Sequence, residues 1–128
     1  MKWKIIGDGS VLYCVYGNIN NVSKIAGFDL DGTLIIPKKK NGKRRIFPDP
    51  NDQNDWEFLY ENVVDILQKF YKDGYRIIIH TNQLRLKNQS VWKLKLETIT
   101  KQINVPIEIY VALKENLYRK PLMKVWTE

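Results

Sequence analysis

Lys24-Ile25-Ala26-Gly27-Phe28-Asp29-Leu30-Asp31-Gly32-Thr33-Leu34-Ile35 is the stretch on which the fold turns. Residues 24–28 read as a short buried strand, and it runs directly into two carboxylates and an Asp-Gly turn. Two further apolar runs, 75–79 (ending at His80-Thr81) and 107–113, show no polar alternation, as expected of strands covered on both faces. Helical periodicity fills the gaps between them. Trp56, Leu59, Tyr60, Val63, Leu67, Phe70 and Tyr71 recur at steps of three and four, which predicts a helix with Asp55 as N-cap and Gly74 as its stop. Ser90 is the expected cap of a second helix whose apolar face is Trp92, Leu96, Ile99 and Ile103. Strand, helix, strand, helix, strand predicts an α/β fold, a three-layer, doubly wound, mostly parallel sheet. In such sheets chemistry lies beyond the carboxyl ends of the strands, where Asp29 and Thr81 fall.

Working outward, Ile5-Ile6 and the run Val11-Leu12-Tyr13-Cys14-Val15-Tyr16 flank Gly7-Asp8-Gly9-Ser10, the pattern of an N-terminal β-hairpin. Residues 33–54 turn to Pro, Lys, Asn and Asp and read as a loop. The 128 residues are expected to form one domain, with the hairpin over about 1–22 and the core over about 23–128. An apolar share of 44% suffices for a packed core and excludes a disordered chain. No apolar run approaches the roughly 20 residues that span a bilayer, so no membrane partner is expected. One cysteine, Cys14, excludes an internal disulfide framework and points to a reducing, intracellular compartment, nucleus or cytoplasm. Lys and Arg number 21 against 14 Asp and Glu, a formal charge of +7 that favours an anionic partner such as nucleic acid.

Two carboxylates two residues apart, just past a buried strand, suit phosphoryl transfer. One attacks phosphorus while the other delivers a proton to the leaving oxygen. Gly32 permits the tight turn, the Thr33 hydroxyl can bond within it, and hard oxygen donors favour Mg²⁺ between carboxylate and phosphate. Taken alone, an Asp-x-Asp-Gly is equally well an ordinary turn whose acids cap the loop.

The segment from Lys24 to Ile35 resembles motif I of the haloacid dehalogenase-like phosphatases. With Phe47-Pro48, Asp55-Trp56, Leu59-Tyr60, Gly74-Tyr75, Thr81-Asn82-Gln83, Tyr118-Arg119-Lys120-Pro121 and Trp126, the chain over roughly 22–126 resembles the DNA 3′-phosphatase domain of polynucleotide kinase/phosphatases. The resemblance implies an uncapped, Rossmann-like fold of that superfamily and a Mg²⁺-dependent phosphatase acting on DNA ends that carry a 3′-phosphate, in strand-break repair. It implies that Asp29 is the nucleophile, forming an aspartyl-phosphate, and that Asp31 is the general acid and base. Thr33, Thr81 and Asn82 would hold phosphoryl oxygens, and Lys120 would both bind and stabilise the phosphoryl group. Mg²⁺ would rest on the Asp29 carboxylate and the Asp31 carbonyl.

Two departures from the family pattern stand out. Members continue past the Arg-Lys-Pro helix into a strand with a further acidic motif, and those C-terminal strands are expected to be missing here. The segment after Thr81-Asn82-Gln83 is also shorter and basic, Leu84-Arg85-Leu86-Lys87-Asn88-Gln89, where members are Gly-rich. Neither the roughly twenty residues after motif I nor the short gap before Arg119 can hold a cap domain, which suits the end of a polymer. The cluster Lys38, Lys39, Lys40, Lys43, Arg44 and Arg45 is the candidate DNA-binding surface, against the plainer reading of a solvated loop. His80, Cys14, Trp56 and Trp92 are expected in the core. An open edge on the 24–28 strand is expected to be covered by the hairpin, by a second copy or by a partner. Competing readings are a degenerate domain that binds DNA ends or a partner protein without turnover, and a small-molecule phosphatase of the same superfamily. The latter usually carries a zinc-binding Cys/His loop, for which one cysteine and one histidine do not suffice.

Overall fold

The structure is a computed structural model and describes residues 1–19 and 22–113. β1 (Lys2–Ile6) and β2 (Val11–Tyr16) form the N-terminal hairpin, followed by β3 (Ile25–Asp29), β4 (Ile35–Ile36), β5 (Glu57–Phe58) and α1 (Val63–Lys72). β6 (Arg76–Asn82), α2 (Gln89–Ile103) and β7 (Ile107–Ala112) complete the described chain. The main sheet has the order β1-β2-β7-β6-β3, while β4 and β5 make a separate antiparallel ribbon. β3, β6 and β7 are parallel, as the apolar runs imply, and β1, β2 and β7 pair antiparallel. The sheet is therefore mixed rather than mostly parallel.

Nor is the expected double winding seen among the described residues, whose two helices pack on one face. β3, β6 and β7 lie side by side in chain order, and right-handed crossovers, the rule for parallel strands, would carry both helices to the same face. Val63 and Leu67 of α1 and Trp92, Leu96, Ile99 and Ile103 of α2 accordingly share one core with Ile77, Ile79, Ile107, Ile109 and Val111. The alternate residues of the strands, Val11, Ile78 and Tyr110, form a second cluster with neither helix in it. Strand alternation separates the two sets. On that second face, toward the amino end of β6, Arg76 forks onto Glu108 at 2.7 and 2.8 Å and Tyr13 donates to the same carboxylate at 3.2 Å.

α1 starts seven residues later than its periodicity suggests. Glu57–Phe58 pairs with Ile35–Ile36 instead, and the Trp56 and Phe58 rings meet edge to face at 5.1 Å. Trp56 and Phe58 pack on the same core as the helices, two residues apart as in a strand. Gly74, at φ +91, ends the helix as expected. α2 is capped by Asn88, whose side chain accepts from the Val91 amide, rather than by Ser90. The hairpin does not fold over β3. It pairs with β7 on the far side, and β3 is the edge of the sheet among the described residues. Cys14 and His80 are buried as expected, and burial pushes the Cys14 thiol up to about 11. No helix among the described residues is long and apolar enough to cross a membrane.

Candidate active site

The carboxyl ends of β3 and β6 bring the expected residues together. Asp29 is the last residue of β3 and stands in register with His80, so Thr81 lies one step further along the neighbouring strand. Beyond Asp29 the chain reverses within one turn. The Leu30 carbonyl accepts from the amides of Leu34 and Ile35, both at 3.0 Å, and the Gly32 amide donates to the Ile35 carbonyl at 2.8 Å. Gly32 has φ +79, which L side chains rarely adopt, so the glycine between Asp31 and Thr33 is a requirement of the turn. Leu34 and Ile35 are buried and anchor it, while Asp29 and Thr33 are exposed and Asp31 is half-buried.

Gln83 joins the two strand ends. Its Nε2 donates to Asp31 Oδ2 at 2.8 Å and to Thr81 Oγ1 at 2.9 Å, and its main-chain N–H donates to the Ala112 carbonyl of β7 at 2.8 Å. Thr81 is buried beneath it. Asn82, on the opposite side of the strand, has a buried Oδ1 with no hydrogen-bond partner among the described residues. The donor set at this end is made of hard oxygens, the Asp29 carboxylate and main-chain carbonyls of the turn, which fits Mg²⁺. Among the described residues no group of three or more His, Cys, Asp or Glu gathers to hold a metal ion. Lys120 lies outside the described residues, as do Tyr118, Arg119, Pro121 and Trp126.

The basic loop divides into two parts. Lys38, Lys39, Lys40 and Lys43 are exposed, the last two paired across a two-residue turn made by Asn41 and Gly42 at φ 53 and 74. An Asn-Gly pair with both φ positive makes a two-residue hairpin turn. Arg44 and Arg45 are each tied to a carboxylate, Arg45 to a buried one. Arg44 pairs with Glu57 at 2.9 Å and Arg45 with Asp55 at 2.6 Å.

Asp55 is not the helix cap. Its side chain, 99% buried, accepts from the Lys38 amide at 3.1 Å, from the Asp49 amide at 2.7 Å and from Arg45, and so ties the loop's two ends together. Burial pushes this carboxyl up, but the bonds from Arg45, Asp49 and Lys38 outweigh burial and hold it below its ordinary value. Lys95 of α2, 1% exposed, completes the anchorage by donating to the Asp49 carbonyl at 3.0 Å and the Asp55 carbonyl at 3.2 Å. Burial pushes its ammonium down, and the carboxylates of Asp31 and Asp55 push it back only in part. Asn51 links this loop to the one after Gln83, accepting from the amides of Lys87 and Asn88 at 2.9 and 3.0 Å. Lys95 falls between Trp92 and Leu96 on the apolar stripe of α2, and a lysine at such a position is the signal that could have found it.

Nothing between β3 and α1 amounts to a cap domain, only turns and the β4–β5 ribbon. A cleft of about 450 Å³ between the loop, β5 and α2 is lined by Lys38, Trp56, Phe58 and Leu94 among others, and by neither Asp29, Asp31, Thr81 nor Gln83. The two acids lie outside it.

A family model described as polynucleotide kinase 3 phosphatase matches residues 24–128. A bifunctional polynucleotide phosphatase/kinase of Schizosaccharomyces pombe is 32% identical over 130 residues, covering 98% of this chain and 30% of its own length. An uncharacterized 20.8 kDa protein of Autographa californica nuclear polyhedrosis virus is 36% identical over 130 residues, covering 98% of this chain and 66% of its own length. The polynucleotide 3′-phosphatase ZDP of Arabidopsis thaliana is 28% identical over 129 residues, covering 84% of this chain and 17% of its own length. The chain thus spans less than two thirds of these relatives' lengths, most of all in the plant and yeast proteins.

Proposed function

The chain belongs to the polynucleotide kinase 3 phosphatase family, and from that premise we propose that it removes the phosphate from DNA 3′ ends, restoring the hydroxyl that strand-break repair needs, on a haloacid dehalogenase-like fold. The observation that carries this reading is the join of β3 to β6 through Gln83, which sets Asp31 against Thr81 at one sheet end beside Asp29.

An Asp29 carboxylate oxygen attacks phosphorus as the P–O3′ bond breaks, and the Asp31 proton passes to the departing 3′-oxygen. Water then attacks the aspartyl-phosphate at phosphorus and gives its proton back to Asp31, which releases inorganic phosphate and frees Asp29. Thr81 and Asn82, with Thr33 on the turn, hold phosphoryl oxygens, and Lys120 balances their charge. Mg²⁺, held by the Asp29 carboxylate and the Asp31 carbonyl, would supply charge neutralisation between the nucleophile and the phosphate. Lys38, Lys39, Lys40 and Lys43 grip the backbone upstream of the terminal phosphate without reading sequence. Arg44 and Arg45 shape the loop that carries them.

Phosphate release from oligonucleotides bearing a 3′- or a 5′-phosphate, with and without Mg²⁺, tests the proposal. Release from the 3′-phosphate only, and only with Mg²⁺, is the expected result. Tight binding of the oligonucleotide with no release in any condition would overturn it in favour of a non-catalytic end-binding role.

A further inference from the structure

We propose that Gln83 fixes the direction of the hydrogen bonds in this site, acting as a positioning residue for Asp31 and Thr81 together; the inference rests on the phosphatase reading above. Gln83 is 5% exposed, and its backbone is held on both sides, the N–H by Ala112 and the carbonyl by the Leu86 amide at 3.2 Å. The side chain is thereby fixed where both hydrogens of its Nε2 are used, one on Asp31 Oδ2 and one on Thr81 Oγ1.

The orientation has a chemical consequence. Asp31 Oδ2 accepts whether the carboxyl is ionised or carries its proton on the other oxygen, so the amide turns its NH₂ toward it. The same NH₂ then donates to the Thr81 hydroxyl, which having accepted directs its own single hydrogen to another acceptor. Phosphoryl oxygens are acceptors only, so Thr81 is set as a donor to the phosphoryl group before substrate arrives. The reversed amide would consume the Thr81 hydrogen and set a carbonyl lone pair against the carboxylate.

Gln83→Met keeps length and loses both donors, and Gln83→Glu keeps shape and replaces the donors with an acceptor. Both are measured for kcat and KM on a 3′-phosphorylated oligonucleotide, whose alkoxide leaves poorly, and on 4-nitrophenyl phosphate, whose phenolate leaves well. A disturbed general acid should lower kcat on the oligonucleotide at least about tenfold more than on the aryl ester, since acid assistance matters most for poor leaving groups. In an Asp31→Asn background Gln83→Met should add no further leaving-group dependence. Inhibition by inorganic phosphate should weaken through the loss of Thr81 orientation. Equal losses on the two substrates, or wild-type rates on both, would overturn the inference. A measurement on the unaltered chain decides the case where neither variant folds. Both side-chain amide protons of Gln83 should exchange slowly with solvent by NMR, and rapid exchange of both would refute the assignment. Absence of activity in the wild type on either substrate would sink the phosphatase reading, and the amide measurement would still judge the geometry.

Discussion

Replacing Asp55 with alanine should release the basic loop while leaving the sheet intact. The carboxylate takes the Lys38 and Asp49 amides at 3.1 and 2.7 Å and the Arg45 guanidinium. Each amide stripped of a partly buried acceptor costs about 1–2 kcal/mol, so the two together come to about 2–4 kcal/mol, with the Arg45 contact in addition. That loss falls on opening of the loop, because the core of Leu67, Ile79, Leu96 and Ile109 does not depend on it. At 1.4 kcal/mol per tenfold, the Lys38 and Asp49 amides should exchange with deuterium about 30- to 700-fold faster than in the wild type, while β6 and β7 keep their protection. The pH dependence has a definite sign. The Asp55 carboxyl is held below its ordinary 3.8, so its stabilisation is full above that value and is lost as pH falls through the lower folded value. Loop protection in the wild type should therefore drop below about pH 4, and in Asp55→Ala it should show no such drop. Unchanged exchange at Lys38 and Asp49 in the variant would refute the role assigned to Asp55.

Other outcomes follow from the same geometry. Changing Lys38, Lys39, Lys40 and Lys43 to glutamine should flatten the log–log salt dependence of oligonucleotide binding by up to about 3, at about 0.7 per phosphate contact on a single strand, with stability unchanged in urea. Gly32→Ala places a side chain at φ +79 with no atom within 4 Å of the new carbon, so a stability loss of about 1 kcal/mol in urea should come from backbone strain alone. Turnover should fall further than that as Asp31 is turned aside. Arg76→Leu strands the 4%-exposed Glu108 and should cost about 3 kcal/mol by urea denaturation, with kcat of the folded protein unaltered because the pair lies at the other end of β6.

The strands were legible because continuous apolar runs leave little choice of state. Ile77, Ile79, Ile107 and Ile109 could be placed in a buried sheet from sequence, and with them the ends at which Asp29 and Thr81 meet. The winding was not legible, since periodicity gives each helix an apolar face but does not say which side of the sheet receives it. The 56–62 segment misled because Trp56, Leu59, Tyr60 and Val63 keep helical spacing, although Tyr60 is exposed and Glu57–Phe58 pairs as a strand. Asp55, Lys95 and Gln83 were missed in their roles because each acts across the chain. Gln83 and Asp31 are 52 residues apart, and Lys95 and Asp55 are 40 apart. Local pattern carries no information about such pairs, although a lysine inside an apolar helical stripe marks one end of one of them.

The central claim is that Asp29 carries phosphate from a 3′ end. It is tested most directly by incubating the chain with Mg²⁺ and an oligonucleotide whose 3′-phosphate is radiolabelled, then quenching in acid. Free phosphate should accumulate, a fraction of the label should remain on the protein and be removed by hydroxylamine, and both signals should vanish in Asp29→Asn. Phosphate release by Asp29→Asn at the wild-type rate, or none by the wild type, would contradict the account.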